Sequence, residues 1–348
     1  MRRTITGMPG AAALLVGCLA LSGCSGGEEP DATPAEIREA IETIETIDPA
    51  PPAYRTDAKS PPAPAYAPLR TGWRYETFGD VVVSVPERFT PGGTGQQVDQ
   101  WCVGRSRQPV VGRPFGPTTQ VACPADDDRQ FDASFTGSFV GFDLPPPGET
   151  EPAEGGDIRE GDRVTRLVGG IELIVQAPER LRQRVLDTVA TVPDGGEDPY
   201  GCPVDDPTAA DPSVRPFGPG LATLVPGQVT DVAVCTYLLR ADRVMPADIR
   251  LLASSRLAGA GARRAVAGLL NASPGGGPDG AEACADGFGE QLTVLRIGGD
   301  FPFNDADERR VVLRYDGCRG EGIDDGRTVR RLTPQVLRPF LAGTAGTA

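Results

Sequence analysis

The sequence predicts an α+β protein: two small disulfide-bonded domains, each a mainly antiparallel sheet with one or two helices, after a signal peptide and a proline-rich stalk. Three observations carry this. The chain has 348 residues, enough for about two domains at roughly 150 residues each. Gly (45) and Pro (35) make up nearly a quarter of it, about double the usual share, so long loops and few long helices are expected. Eight cysteines fall where bridges within each domain are possible.

Residues 1–23 read as an export signal. Arg2 and Arg3 precede a short apolar stretch from Ala11 to Leu21, too short, and interrupted by Gly17, to span a bilayer. The stretch ends in Leu21-Ser22-Gly23-Cys24. This tetrapeptide resembles a bacterial lipobox, in which the cysteine thiol receives a diacylglycerol and a peptidase cuts just before it. The resemblance implies that Cys24 is the lipidation site. It also implies a protein held on the outer, extracytoplasmic face of the cell membrane, with the membrane as partner through the anchor. Heavy Ala, Gly and Arg usage beside a single lysine, Lys59, is similar to actinobacterial lipoproteins that carry no known activity. Arg2-Arg3 fits either an ordinary basic start or a twin-arginine signal.

Residues 24–70 read as a stalk. Thr33-Pro34-Ala35-Glu36 fits a capping box with proline at the first helical position. Ile37, Ile41, Ile44 and Ile47 follow at helical spacing. That stripe docks on the globular part or lies on the membrane; Glu36, Glu42 and Glu45 on the opposite face disfavour anionic lipid. From Pro49 to Pro68 the chain is proline-rich, a semi-extended tether of about 3.1 Å per residue.

The first domain is expected at 71–193. Val81 to Val85, ended by Pro86, is a β-branched strand run, and Phe135 to Phe142 is a second. Val164 to Val168, Gly169-Gly170 and Ile171 to Val175 form a hairpin around a Gly-Gly turn. Glu179 to Val192 fits a helix with Leu181, Val185, Leu186 and Val189 on one face. Strands closed by a helix indicate an α+β layer. The acidic, turn-rich stretch 193–199 reads as the boundary.

The second domain is expected at 200–343. Strands are predicted at Val229 to Leu239 and Ile249 to Ser255, and a short helix at Ala262 to Leu270. A hairpin is predicted from Gln291 to Ile297 and Arg310 to Tyr315. A last helix runs from Pro334 to Leu341 with Thr333 as N-cap. Residues 344–348 read as a disordered tail.

Apart from Cys18 and Cys24, six cysteines remain: Cys102, Cys123, Cys202, Cys235, Cys284 and Cys318. Six allow 15 connectivities. Sequential pairing keeps each bridge within one domain, and predicts Cys102–Cys123, Cys202–Cys235 and Cys284–Cys318. Cys102 and Cys202 are each followed by the pentapeptide Arg-Pro-Phe-Gly-Pro, at Arg113 to Pro117 and Arg215 to Pro219. It marks either a turn used twice or a coincidence.

Composition removes most catalytic chemistry. The chain has no histidine, so Ser-His-Asp and Cys-His sites are excluded. The sole lysine lies in the stalk, and no P-loop motif occurs. No C-x-x-C is present, which argues against zinc and redox-active thiols. A net charge of -14 argues against nucleic acid as partner. No cofactor is expected.

Carboxylates remain. Asp126-Asp127-Asp128, Asp205-Asp206 and Asp324-Asp325 sit among turn residues and read as solvated acidic loops without large pKa shifts. Asp300, Asn304, Asp305, Asp307 and Glu308 do not match an EF-hand and read as a polar hairpin loop. Trp73 and Trp101 read as core packing, with an exposed sugar platform as the alternative. The expected function is therefore non-enzymatic binding of an envelope partner, a cell-surface partner or a small ligand. A carboxylate-dependent cell-wall glycosidase and a structural envelope spacer are the alternatives.

Overall fold

The chain divides between Lys59 and Ser60, and every described residue belongs to the second unit. A computed structural model describes residues 66–91, 109–113, 137–145, 155–239, 249–277, 287–299, 309–315 and 317–341. Cys24, the predicted stalk helix, Lys59, Trp101, Cys102, Cys123, Asp126 to Asp128, Cys284, Asp300 to Glu308 and the 344–348 tail lie outside the described residues.

The expected α+β class is what the structure shows, with few helices and mainly antiparallel sheets. β1 (Trp73–Phe78) and β2 (Val81–Pro86) form a hairpin joined by β9 (Ala190–Thr191) in a three-stranded sheet. Gly79 sits at the hairpin turn with φ 58°, a conformation that favours glycine. A Cβ there would also meet Ile171 Cδ1 at 2.7 Å.

A second sheet has the order β3 (Thr90–Pro91), β4 (Val110–Gly112), β5 (Phe139–Asp143), β8 (Ile171–Gln176), β7 (Arg163–Val168), β6 (Asp157–Glu160). Its first three strands are parallel and the rest antiparallel. The Gly-Gly hairpin is β7–β8, with both glycines at positive φ. Ile171, Leu173 and Val175 alternate onto one core face, as a period of two requires.

Helix α1 (Glu179–Leu186) packs against β2 and β8. It ends six residues before the expected Val192. Thr188 is drawn into the sheet instead: its hydroxyl accepts the Ser84 N–H at 2.9 Å and donates to Val185 O at 2.7 Å. Ala190 and Thr191 then pair with β2. Strand pairing overrides the helical pattern beyond Leu186.

The third sheet has the order β11 (Leu251–Ala258), β10 (Val229–Leu238), β12 (Gln291–Gly299), β13 (Arg309–Arg314), β14 (Gly322–Asp324), β15 (Val329–Arg330), antiparallel throughout. β14 and β15 are too short for a periodic signal. Helix α2 (Pro207–Ala210) is a single turn, α3 (Gly259–Asn271) follows β11 directly, and α4 (Pro334–Leu341) closes the chain. Thr333 caps α4 by accepting the Val336 N–H at 3.4 Å.

Both faces of this sheet are covered. Val232 and Val234 of β10 join Val266 and Leu269 of α3 in one core, while Ala233, Cys235 and Tyr237 face another. Double coverage explains why consecutive side chains of β10, β12 and β13 are buried, rather than every second one.

The two halves meet closely. Leu238, Ile249 and Leu252 belong to the same core as Val83, Phe142 and Leu173. The stretch 193–199, expected as the boundary, is a bonded junction: Gly196 N donates to Pro193 O at 2.7 Å, Asp198 N donates to Cys202 O at 2.9 Å, and Asp198 is 4% exposed. A tight loop led by Asp198 brings Cys202 to β10.

The expected Cys202–Cys235 bridge is present, with Cα atoms 5.6 Å apart and a sequence separation of 33. Cys318 is also disulfide-bonded, its partner lying outside the described residues. The Cys202–Cys235 bridge staples the junction loop to a central strand. Replacing both cysteines by serine should cost about 3–4 kcal/mol, from the loop-closure entropy returned to the unfolded chain. Urea denaturation of the double variant beside the parent chain measures this.

Candidate functional site

Strand β1 is an edge of the three-stranded sheet, and β11 an edge of the antiparallel six-stranded one. They lie side by side. Gly79 N donates to Leu251 O at 2.7 Å, and the hydroxyls of Thr77 and Ser254 are 3.1 Å apart. A cleft of about 520 Å³ lies along these edges. Trp73, Arg74, Tyr75 and Glu76 line it from β1, and Ser254, Ser255 and Arg256 from β11, with Tyr200 and Leu69 completing the wall. Consecutive residues line each side because the cleft follows strand edges, where side chains of both faces are reached.

Asp198 ties the walls together. One oxygen accepts the Thr77 hydroxyl at 2.8 Å and also the Ser254 hydroxyl. The other accepts the N–H groups of Tyr200 at 3.0 Å and Cys202 at 2.8 Å. Burial pushes its carboxyl above the ordinary value, and these four hydrogen bonds offset only part of that.

Tyr200 is presented by the same loop, which turns at Gly201 with φ 87°. Its hydroxyl accepts the Tyr75 N–H at 3.0 Å and lies 3.4 Å from Tyr75 O. A side-chain hydroxyl thus takes the place that a neighbouring strand would occupy. Burial pushes this phenol up to about 12, so it keeps its proton. Tyr75 packs edge-on against Tyr200, centroids 5.8 Å apart, and meets Tyr66 at 6.4 Å. Trp73 packs on the core with the Arg70 guanidinium over its ring at 5.5 Å.

Three of the charged residues that line the cleft are paired. Arg74 donates to Glu76 at 2.6 Å and to the carbonyls of Glu87 and Phe89 at 2.8 and 2.6 Å. The second Glu76 oxygen accepts Arg113. Arg256 pairs with Asp231 at 2.9 Å. A general acid must carry a transferable proton; both Glu76 oxygens are instead occupied by guanidinium N–H groups.

Of the described aspartates expected in solvated loops, Asp205 is exposed, whereas Asp206, Asp324 and Asp325 are buried. Asp206 is 1% exposed, caps α2 by accepting the Thr208 N–H at 2.8 Å, and pairs with Arg310. Asp324 accepts Arg215 through two bonds at 2.7 and 3.0 Å, and Arg314 at 3.4 Å. Asp325 accepts the N–H groups of Leu221, Arg327 and Thr328. Burial alone would raise both carboxyls; the arginines at Asp324 and the N–H donors at Asp325 bring them below the ordinary value instead. The residues read as turn formers do form turns, but the turns are packed inward.

A second cleft of about 520 Å³ lies beside the Arg215–Asp324–Arg314 group, with Phe288 and Arg319 in its wall. The pentapeptide arginines share a habit: Arg113 engages Glu76 and Arg215 engages Asp324. In the second copy Phe217 is 93% exposed. Among the described residues no cluster of three or more His, Cys, Asp or Glu side chains is placed to hold a metal ion, and no helix is long and apolar enough to cross a membrane.

Trp73 lies where the sequence placed it, half-buried on the core. Tyr75, Tyr200, Arg74, Glu76 and Asp198 were not anticipated. The alternation of Trp73-Arg-Tyr-Glu-Thr-Phe78 was an available strand signal, and Asp198-Pro-Tyr-Gly-Cys202 an available turn signal. No protein-family model, curated protein or solved structure matches the chain.

Because the Asp198 carboxyl is raised in the folded state, the native chain binds more protons than the unfolded chain above the ordinary value of 3.8. Its contribution to stability is therefore most favourable at low pH, and falls as pH rises from there to the raised folded value. Asp198→Asn, which keeps the acceptor and replaces the buried charge by a donor, should gain on the parent chain through that window. Denaturant melts of both chains at steps between about pH 4 and 7 measure the difference. Asp324 and Asp325 act oppositely, with stability lost as pH falls through their lowered values.

Proposed function

We propose that the protein is a lipid-anchored, extracytoplasmic binding protein of actinobacterial type that holds a small ligand or envelope partner in the cleft between β1 and β11, without a catalytic step of its own. Supporting the anchor are the signal segment and Leu21-Ser22-Gly23-Cys24. The Cys202–Cys235 bridge accords with an oxidising, exported setting.

The observation that carries the binding reading is the cleft itself, with aromatic rings beside fixed, mutually paired polar groups. A binding site needs such preorganised groups to orient a ligand. The glycosidase alternative needs two carboxyls across a cleft, one carrying a proton. Glu76 is held by Arg74 and Arg113, and the one acid here with a raised carboxyl, Asp198, spends both oxygens on the junction. A plain envelope spacer would have no use for a cleft of this size.

Cys24→Ala should release the protein from the membrane fraction or leave it unprocessed. Fractionation and mass spectrometry check this, and an unlipidated Cys24 in the native protein would overturn the anchor.

A further inference from the structure

Granting the cleft as the binding site, we infer that its ligand is a neutral saccharide. The first ground is charge. Arg74 and Arg256 line the cleft together with Glu76 and Glu87, so the wall is balanced. Arg74, Glu76 and Arg256 already hold partners. An anionic ligand would shed its water here without gaining an unpaired counter-charge, and a cationic one would gain only the water-exposed Glu87, a pairing of little worth.

The second ground is the mixture of chemistry. Trp73, Tyr75 and Tyr200 are half-buried and line one side. Their rings offer apolar surface to the C–H face of a pyranose. The Ser255 hydroxyl and the exposed Glu87 carboxylate stand beside them. Sugar hydroxyls both donate and accept, and the cleft presents both kinds of group.

The third ground excludes the main rival. A peptide adding as a strand needs the free backbone edge of β1. At Tyr75 that edge is taken by the Tyr200 hydroxyl, and the Thr77 carbonyl accepts Arg113 Nε at 3.4 Å. The space is then left to a ligand recognised by side chains.

The test uses the full chain in detergent with chitotriose and maltotriose as neutral probes, trigalacturonate as the charged one and trialanine as the peptide. Titration calorimetry and tryptophan fluorescence follow binding. A neutral trisaccharide should bind with a Kd that is flat across salt concentration, since no ion pair forms. Ser255→Trp, which fills the cleft from an edge strand, should weaken it at least tenfold. Phe217→Ala, remote in the chain and exposed, should leave it unchanged. Competition with insoluble cell-wall glycan separates a polymer ligand from a free sugar.

Failure of both neutral sugars to bind at about 10 mM, far above the range of a specific site, overturns the saccharide. So does binding that ignores Ser255→Trp. If trigalacturonate or trialanine binds instead and is lost in Ser255→Trp, the saccharide falls and the binding cleft stands. If a broad fragment screen finds nothing at the cleft, both fall.

Discussion

A buried carboxylate holds this structure together at the point where its halves meet. Asp198 accepts hydrogen bonds from Thr77 on β1, from Ser254 on β11, and from the backbone of its own loop at Tyr200 and Cys202. Taking a charge out of water is costly unless its lone pairs are satisfied. The cost here is offset in part by four donors that come from three separate segments. Remove one segment and the carboxylate is left partly bare, so the three segments are coupled. The Cys202–Cys235 bridge continues the same loop into β10, and the junction is therefore fixed both covalently and by hydrogen bonds.

The cleft follows from this junction. Two sheet edges are brought together without merging into one sheet. Exposed edges invite strand addition, and β1 is guarded by side chains instead: Tyr200 at Tyr75, and Arg113 at Thr77. The guarding groups are aromatic and cationic. The same residues that protect the edge thereby supply part of the cleft wall and its charge pairing.

Arginine does a second job throughout the fold. A chain so rich in glycine and proline has many loop carbonyls outside any ladder, and buried carbonyls need donors. Arg314 serves Pro212 and Val214, Arg309 serves Gly220, and Arg182 serves Asp162 and Ala177. All three arginines are buried. A guanidinium has five N–H groups in a rigid fork and can bridge several carbonyls at once, which an ammonium on a flexible stem does less well. The near-absence of lysine fits this use of side-chain donors. Arginines also neutralise the buried aspartates: half-buried Arg310 pairs with Asp206, and exposed Arg215 and buried Arg314 pair with Asp324.

The sequence by itself determined the α+β class, the hairpin around Gly169-Gly170, the β12–β13 pair, the capped last helix, and the Cys202–Cys235 pairing. It also excluded histidine chemistry outright, since composition is not subject to folding. These features are local: periodicity, turn residues and short spacings write them within a few tens of residues. Only the tertiary structure decided where α1 ends, that the acidic turns face inward, and that β1 and β11 enclose a cleft. Periodicity tells which face of an element is apolar, but not what will cover it. Thr77 and Ser254 are 177 residues apart, and no local pattern records that their hydroxyls share one buried carboxylate.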